Sequence, residues 1–311
     1  MNIIDLWYSL FPKRLPEVNL QRIVDAAGAK DWKTSAAVIA KCGYLVCTYN
    51  NVSRHNAAID LVQPDGRSRN LIRTDYETFG RPILVDGWWY FPCEGHAPRI
   101  VRVRDASGVV EITNMVQPDD YSACGVGHWF AVCKRGGGKP YLWSPVTGRR
   151  GYQYQHVNGI VSGIVDDSGA IAVSVSDGAV PGVESEEGWK VTGVNIPTIA
   201  ACGMDLLVFR KDGAICTIGR GLRVIGNTGM KPCRSVTAGG IVYWATSKPD
   251  VLCATNGRKT ALLFPLPGPD GNDGVNRGEL FDSDVAVKGD EIVVVRSQDR
   301  GGFEVWKGKI K

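Results

Sequence analysis

The stretch Val38-Ile39-Ala40-Lys41-Cys42-Gly43-Tyr44-Leu45-Val46 decides the fold, because versions of it recur six more times in the 311 residues. Each copy consists of a run of small residues, a turn glycine and an apolar strand. The turn glycines anchor the copies at intervals of 34 to 49 residues, and they are Gly43, Gly87, Gly127, Gly169, Gly203, Gly240 and Gly289. The chain is therefore a series of seven related units built of strands.

A degenerate repeat of about 40 residues that is made of strands is the sequence signature of a β-propeller. The first copy continues through a second pair of apolar strands around Asp65-Gly66. Asp-Gly between such strands is a strong hairpin signal, because both central residues of the turn need positive φ. The sequence thus predicts an all-β protein, a seven-bladed β-propeller of four-stranded antiparallel blades over residues 35–311.

Residue size along each copy supports this prediction. The strand before the anchor glycine is made of small residues, as in Ser35 to Val38 and in Ser235 to Ala238. The innermost strands of a propeller converge on the central axis, where bulky side chains do not fit. Tryptophans occupy the strands farther out, where each can bury about 150–250 Å², and they are Trp88, Trp129, Trp143, Trp244 and Trp306. We interpret them as core residues.

The seventh copy is incomplete, since only Lys309 to Lys311 follow its last turn. A blade left open would expose the unpaired edge of a sheet. Residues 1–34 are therefore predicted to close the ring. Within them we expect Ile3 to Tyr8 to pair with blade seven as its outer strand, and Glu17 to Ala27 to form a short helix.

Composition and motifs narrow the classes of function. The sequence has no window of 18 apolar residues, so no membrane span is predicted. Its start lacks the basic region and apolar core of a secretory signal. Nine cysteines without CxxC spacing indicate free thiols, and we expect synthesis in the cytoplasm.

The inventory of catalytic motifs is equally thin. HExxH, P-loop and GxSxG motifs are absent from the sequence. Asp270 to Gly274 departs from the order of a calcium loop, because glycine stands fifth where the EF-hand needs it sixth. We therefore predict a protein that is not an enzyme and that uses neither a cofactor nor a metal.

Basic residues recur directly after the outer hairpin glycines, although the net charge is only +4. These residues are Arg67, Arg69, Arg149, Arg150, Arg220, Arg223, Arg258, Lys259 and Lys309. Such turns share one face of a propeller. Carboxylates are expected in the opposite loops, and they are Glu94, Glu184, Glu186, Glu187, Asp212, Asp250 and Asp299. A basic face attracts an acidic protein surface or a nucleic-acid backbone, whereas the alternative interpretation is an ordinary set of solubilising turns.

Two of the copies resemble the repeat of the RCC1-type propellers, and they are Ala201–Gly213 and Ala123–Val132. The order of small residue, glycine and apolar strand matches, as does the Asp212-Gly213 turn. The histidine of that family's strand occurs here only as His128, and the blades are shorter. The resemblance implies the propeller architecture and not the exchange-factor activity. The architecture also resembles the propeller subunits of bacteriophage tails, which act as structural rings or nozzles.

Three hypotheses of function follow. The leading one is a non-enzymatic structural or interaction propeller, a virion tail component that docks onto protein partners or DNA through its basic turns. The second is a glycan-binding or glycan-cleaving propeller with its site at the end of the axial channel, built from Tyr49, Glu94 and His96. The third is an intracellular scaffold that binds peptides.

Overall fold

The computed structural model describes residues 14–26, 31–50, 52–53, 56–119, 121–122, 124–134, 137–167, 169–203, 205–218, 221–247, 251–266, 283–298 and 302–311. Within these ranges the chain forms strands and no helix, so they contain nothing that could cross a membrane as a helix. The strands form seven four-stranded antiparallel sheets, with one further sheet of two strands. The predicted seven-bladed propeller is confirmed.

Strand β1 (Val18–Asp25) precedes the first blade along the chain. The strands of blade one are β2 (Trp32–Ala40), β3 (Gly43–Asn50), β4 (Ala57–Val62) and β5 (Ser68–Thr74). The short sheet beside blade two pairs β6 (Thr78–Phe79) with β9 (Cys93–Glu94). The strands of blade two are β7 (Ile83–Val85), β8 (Trp88–Phe91), β10 (Arg99–Arg104) and β11 (Val110–Val116). The strands of blade three are β12 (Gly125–Val126), β13 (Trp129–Val132), β14 (Tyr141–Trp143) and β15 (Arg150–Gln153).

The strands of blade four are β16 (Asn158–Asp167), β17 (Ala170–Val180), β18 (Gly182–Ser185) and β19 (Lys190–Thr192). The strands of blade five are β20 (Thr198–Cys202), β21 (Asp205–Phe209), β22 (Ala214–Ile218) and β23 (Leu222–Asn227). The strands of blade six are β24 (Lys231–Ala238), β25 (Ile241–Ser247), β26 (Val251–Thr255) and β27 (Thr260–Pro265). Blade seven consists of β28 (Ser283–Lys288), β29 (Glu291–Ser297), β30 (Phe303–Ile310) and then β1.

The anchor glycines mark the turn between the first and second strands of each blade. All seven have positive φ, between 58° and 135°. Residues with a Cβ rarely adopt this conformation, whereas glycine adopts it freely. At Gly43 a Cβ would also lie only 2.7 Å from the carbonyl oxygen of Val62. The geometry of this turn therefore explains why glycine recurs while the other positions of the repeat vary.

Small hydroxyl side chains on the innermost strands join one blade to the next. Ser35 in β2 donates a hydrogen bond of 2.6 Å to the carbonyl oxygen of Phe79 beside blade two. Ser162 in β16 donates one of 2.6 Å to the carbonyl of Ile196, just before blade five. Both serines are buried. The small residues near the axis thus fit the narrow hub and also satisfy backbone groups that are withdrawn from water.

The ring is closed by an N-terminal strand, as predicted. Strand β1 pairs antiparallel with β30, from Val18 opposite Ile310 to Asp25 opposite Glu304. It supplies the outer strand that the seventh copy lacks, so blade seven combines the two ends of the described chain.

The helix predicted over Glu17 to Ala27 is wrong, because Val18–Asp25 is this closing strand. Val18 and Leu20 are buried while Asn19 and Gln21 are exposed, which is the period of two that a strand requires. Apolar residues in so short a segment fit both periods, and the open edge of blade seven decides between them. Ile3 to Tyr8 lies outside the described residues.

A buried ion-pair network fastens β1 to its blade. Glu304 in β30 is fully buried, and its carboxylate accepts hydrogen bonds from Arg22 Nη1 in β1 at 2.7 Å and Arg296 Nε in β29 at 2.5 Å. Trp306 Nε1 donates a further bond of 3.1 Å. Burial alone would raise the pKa of Glu304, but the bonds and charges of Arg296 and Arg22 lower it below the ordinary value. The ionised carboxylate therefore links three strands of blade seven.

Candidate functional site

Arginine and aspartate side chains meet across the central axis of the ring. Arg81, at the start of blade two, donates from Nε to Asp284 of blade seven at 3.3 Å and from Nη2 to the same carboxylate. Its Nη1 reaches the carbonyl oxygen of Ser235 in blade six. Asp284 is fully buried and also accepts the backbone N–H of Ala37 in blade one at 3.0 Å. One cluster thus joins four blades.

A second arginine crosses the same hub. Arg234 of blade six is buried, and its Nη1 donates a bond of 2.7 Å to the carbonyl oxygen of Ser35 in blade one. Arg81 and Asp284 stand near the starts of inner strands, so the cluster occupies the end of the axis where those strands begin. Charged side chains that are paired with each other and with backbone carbonyls fill this end of the hub. We regard the cluster as a structural clasp.

The ring has two distinct ends. In an antiparallel blade, the turn between the first and second strands and the turn between the third and fourth lie at the same end. We call this end the turn face, and the opposite end the loop face. The predicted basic residues that are described all belong to the outer turns or the adjoining strand residues of the turn face, and they are Arg67, Arg69, Arg149, Arg150, Arg223, Arg258, Lys259 and Lys309. Arg220 lies outside the described residues.

Several cations of the turn face have nearby carboxylates. Arg67 Nε lies 2.7 Å from Asp65 in the same turn, and Lys309 Nζ lies 3.4 Å from Asp290. All four side chains are more than half exposed, and exposed pairs of this kind contribute little to stability. They lower the net charge of their turns without removing the cations from the surface.

The expected separation of acidic from basic residues is wrong in blade four. Glu186 and Glu187 form the turn between β18 and β19, where the Gly188 N–H donates to the Ser185 carbonyl at 2.9 Å. That turn belongs to the turn face. The strands of blade four pair in an irregular register, with shifts between β16 and β17. The sequence of this blade therefore departs from the repeat, and the repeat did not predict the turn. The turn face is therefore basic on some blades and acidic on blade four.

Glu184 is also misplaced by the sequence prediction, because it is not a loop residue. It is fully buried in β18, and its carboxylate accepts the backbone N–H groups of Gln155, His156 and Val157 at 2.7 to 3.1 Å. A carboxylate with three such donors holds the connection between blades three and four. Asp250 and Asp299 lie outside the described residues.

The residues predicted for a glycan site all belong to the loop-face half of blades one and two. Tyr49 is near the end of β3, Glu94 ends β9 and His96 follows in an exposed loop. The mouth of the axis on that side is filled by the Arg81 and Asp284 cluster. The glycan site stays a prediction, and His96 belongs to a different feature, which lies farther from the axis.

A groove runs between the outer parts of blades two and three, and we call it the blade 2–3 groove. It consists of two adjoining depressions that share Asp119 and Lys134. The first has a volume of about 580 Å³ and is lined by His96, Ala97, Val116, Gln117, Pro118, Asp119 and Lys134. The second has a volume of about 300 Å³ and is lined by Asp119, Lys134, Gly138, Lys139, Tyr141, Arg150 and Gln153.

The floor of the groove is fixed by buried hydrogen bonds. Gln117 is almost fully buried, and its Nε2 donates to the carbonyl oxygens of Cys93 at 2.9 Å and Asp119 at 2.8 Å. The Tyr141 hydroxyl donates to the Asp119 carboxylate at 2.7 Å. Burial, followed by this bond and the charge of Asp119, raises the pKa of Tyr141. The tyrosine therefore stays a neutral donor that holds Asp119 in place.

Three exposed cations surround this floor. The guanidinium of Arg150 lies 3.9 Å from the centre of the Tyr141 ring, which is a cation–π contact. Lys139 Nζ lies 3.2 Å from Gln155 Oε1, and Lys134 stands between the two depressions. Asp119 is the one carboxylate among the lining residues that the structure describes. The described lining therefore carries an excess of positive charge.

The opposite end of the groove is apolar and has a strained backbone. Val116 is 43% exposed at the end of β11, and Pro118 beside it is exposed as well. Ala97 has a φ of +46°, a conformation that costs a residue with a Cβ on the order of 1–3 kcal/mol. It also precedes Pro98, a position that favours extended backbone. Strain of this kind often marks a functional site.

The sequence prediction placed Arg150 and His96 in separate sets, whereas the structure brings both to this groove. It missed Asp119, Lys134 and Tyr141. No sequence signal connects them, because their proximity depends on how blade two packs against blade three.

All nine cysteines are free, and eight of them are buried. Burial raises the pKa of Cys202 and of Cys253 to about 12. A thiol acts as a nucleophile only when it is deprotonated. These thiols are therefore packing residues at neutral pH. Among the described residues, no group of three histidine, cysteine or acidic side chains is arranged to hold a metal ion.

Comparison with known proteins extends the description of the fold. No family model matches the chain, and no curated protein matches its sequence. A structure described as the extracellular domain of a one-component system from B. thetaiotaomicron gives a TM-score of 0.60 at 9% identity. The match covers 92% of this chain and 39% of that one.

Two further solved structures are a chain from a complex that contains Nup159 and a domain of Nup159 itself. A chain from the complex of an S. cerevisiae Dbp5 variant with Nup159, a Gle1 variant, IP6 and ADP gives a TM-score of 0.55 at 9% identity, and the match covers 96% of both chains. The N-terminal domain of Nup159 gives 0.54 at 9% identity, over 96% of this chain and 98% of that one. At such identities the likeness shows the fold alone, and the chain is a propeller by architecture.

Proposed function

We propose that this chain is a non-catalytic interaction propeller that docks onto an acidic protein surface through its turn face. An arc of exposed cations on the adjoining blades five, six, seven and one supports the proposal, and it consists of Arg223, Arg258, Lys259, Lys309, Lys311, Arg67 and Arg69. The turns of blade six at this face, 239–240 and 256–259, contain no carboxylate. Clustered charge of one sign speeds and orients association with a surface of opposite sign.

The acidic turn of blade four makes the distribution of charge on the turn face asymmetric. Glu186 and Glu187 lie next to the basic turns of blade five in the ring. An acidic partner is attracted by the arc and repelled by blade four, so its orientation on the ring is restricted. A DNA backbone carries the same charge and is the alternative ligand of this surface.

Charge reversal tests the proposal. We expect the double variant Arg223→Glu with Lys259→Glu to lose most of the binding of the wild-type chain to polyglutamate and to a DNA fragment at low salt. The variant Arg73→Glu with Lys211→Glu makes the same change in charge on the loop-face side of blades one and five, and it should keep that binding. The proposal would be contradicted by a wild-type chain that stays monomeric and binds neither polymer at low salt.

A role in a bacteriophage tail is the more specific form of this hypothesis. Its support is the propeller architecture and the docking face, and neither identifies a virion. Incorporation of the tagged chain into purified particles, resolved on a density gradient, is the decisive measurement. Tag signal that stays at the top of the gradient rejects the tail role and leaves the interaction propeller standing.

The glycan hypothesis uses Tyr49, Glu94 and His96 and is tested separately. A glycan array with the wild-type chain should give a hit that Glu94→Gln removes, if the hypothesis holds. If the chain is an interaction propeller instead, we expect no glycan on the array to bind.

A further inference from the structure

We propose that the blade 2–3 groove is a second binding site, which takes an extended peptide segment that carries acidic residues next to a bulky apolar side chain. The site is distinct from the cationic arc on blades five, six, seven and one, because its floor and its apolar end belong to the loop-face half of blades two and three. Its two depressions share Asp119 and Lys134, and their lining extends from the end of β11 to β15.

Charge identifies one half of the ligand. Lys134, Lys139 and Arg150 line the second depression, while the only carboxylate of the described lining, that of Asp119, already accepts the Tyr141 hydroxyl. The cations are exposed and lie around a floor of buried hydrogen bonds. A ligand with carboxylates along its length complements this half of the groove.

The apolar end identifies the other half. Val116, Ala97 and Pro118 border the first depression, and Val116 is 43% exposed. Ala97, with its unfavourable φ, and Pro118 are exposed as well. An aliphatic or aromatic side chain inserted here would cover apolar surface that now faces water.

The lining favours a peptide over a sugar or a single-stranded nucleic acid. Sugars and bases bind by stacking on open aromatic faces. Tyr141 is only 5% exposed, and the Arg150 guanidinium covers its ring. Apart from the imidazole of His96, the lining residues that the structure describes offer no open ring. A peptide needs only the charges and the apolar spot.

Selection of random peptides displayed on phage against the full wild-type chain tests the inference. We expect enrichment of peptides that combine several acidic residues with a neighbouring leucine, isoleucine or phenylalanine. A synthetic copy of an enriched peptide should bind Lys134→Glu with Lys139→Glu at least about tenfold more weakly, since one favourable charge contact is worth a factor of that order.

Two controls keep the outcome specific to the groove. The variant Arg223→Glu with Lys259→Glu carries the same change in charge on the turn face, and it should weaken binding of the peptide far less than Lys134→Glu with Lys139→Glu does. Replacement of the apolar residue of the peptide by alanine should weaken binding about tenfold or more. Because Lys134, Lys139, Arg223 and Lys259 are exposed, circular dichroism should show both variants folded.

Several results would overturn the inference. They are a selection without enrichment, enriched peptides without acidic residues, and equal losses in the two charge-reversed variants. Binding of a sulfated glycan that depends on Lys134 and Lys139, in the absence of any peptide, would also overturn it. Each of these results would leave the docking proposal for the turn face intact. That proposal is tested separately, by measuring how strongly the Arg223→Glu with Lys259→Glu variant binds polyglutamate and DNA.

Discussion

We call the junction between β1 and β30 the seam of blade seven. This seam and the blade 2–3 groove use charged residues in opposite ways. At the seam, Glu304 is fully buried and lies between Arg22 and Arg296. In the described lining of the groove, exposed cations outnumber the one carboxylate, that of Asp119. A buried charge must have a partner within the fold, whereas an exposed excess is available to a ligand. The position of the partner, more than the number of charges, therefore separates a structural site from a binding site.

The most severe way to break the seam is to remove β1. Deletion of residues 1–25 would leave the edge of β30 unpaired, and an exposed edge of that length promotes association between chains. We expect the deleted chain to lose its soluble monomer, as measured by size-exclusion chromatography with light scattering. Deletion of residues 1–13 alone keeps β1 and serves as the control. A monomeric chain without residues 1–25 would show that β1 is dispensable.

Glu304→Gln is expected to weaken the same seam by removing the charge of a single carboxylate. Loss of the charge leaves Arg22 and Arg296 without their shared partner, and breaking a buried pair typically costs about 3–5 kcal/mol. Urea denaturation should show a decrease of that order in the free energy of unfolding. Asp290→Asn removes a carboxylate of the same blade whose pair with Lys309 is exposed, and it should cost less than about 1 kcal/mol. Similar losses in both variants would contradict the comparison.

Acid should reproduce part of the Glu304→Gln effect in the wild type. The pKa of Glu304 is lowered in the folded chain from an ordinary value of 4.5. Its contribution to stability is therefore complete above that value and is lost as the pH falls through the lower, folded pKa. Urea midpoints of the wild type and of Glu304→Gln should converge as the pH drops below about 4.5. A gap that stays constant down to the acid limit would assign the stability to another group.

The smallest expected effect concerns the groove. Ala97→Gly removes the cost of a Cβ at a φ of +46°, which outweighs the added freedom of glycine in the unfolded chain. We expect the free energy of unfolding to rise by up to about 1 kcal/mol. Ala106→Gly, in an exposed turn of the same blade with ordinary φ, should lower it by about 0.5–1 kcal/mol. A loss of stability in Ala97→Gly would remove the argument from strain.

The groove and the closing strand show where sequence reasoning stopped. The repeat predicted the blades because the anchor turn demands positive φ in every copy. It failed at Val18–Asp25, where apolar spacing suits a helix or a strand and only the open edge of blade seven selects the strand. Asp119 carries no local signal of a site, since its partner Tyr141 comes from blade three. Lys134 carries none either, since the depressions that it lines also involve residues from blade two.

The sequence by itself determined the number of blades, the glycine at each inner turn and the small residues of the hub, because these follow from local backbone geometry and from the space near an axis. The tertiary structure alone decided which N-terminal segment closes the ring and which charges are buried together. It also placed His96, Tyr141 and Arg150 around one groove. Those relations join residues far apart in the chain, and the packing of one blade against the next brings them together.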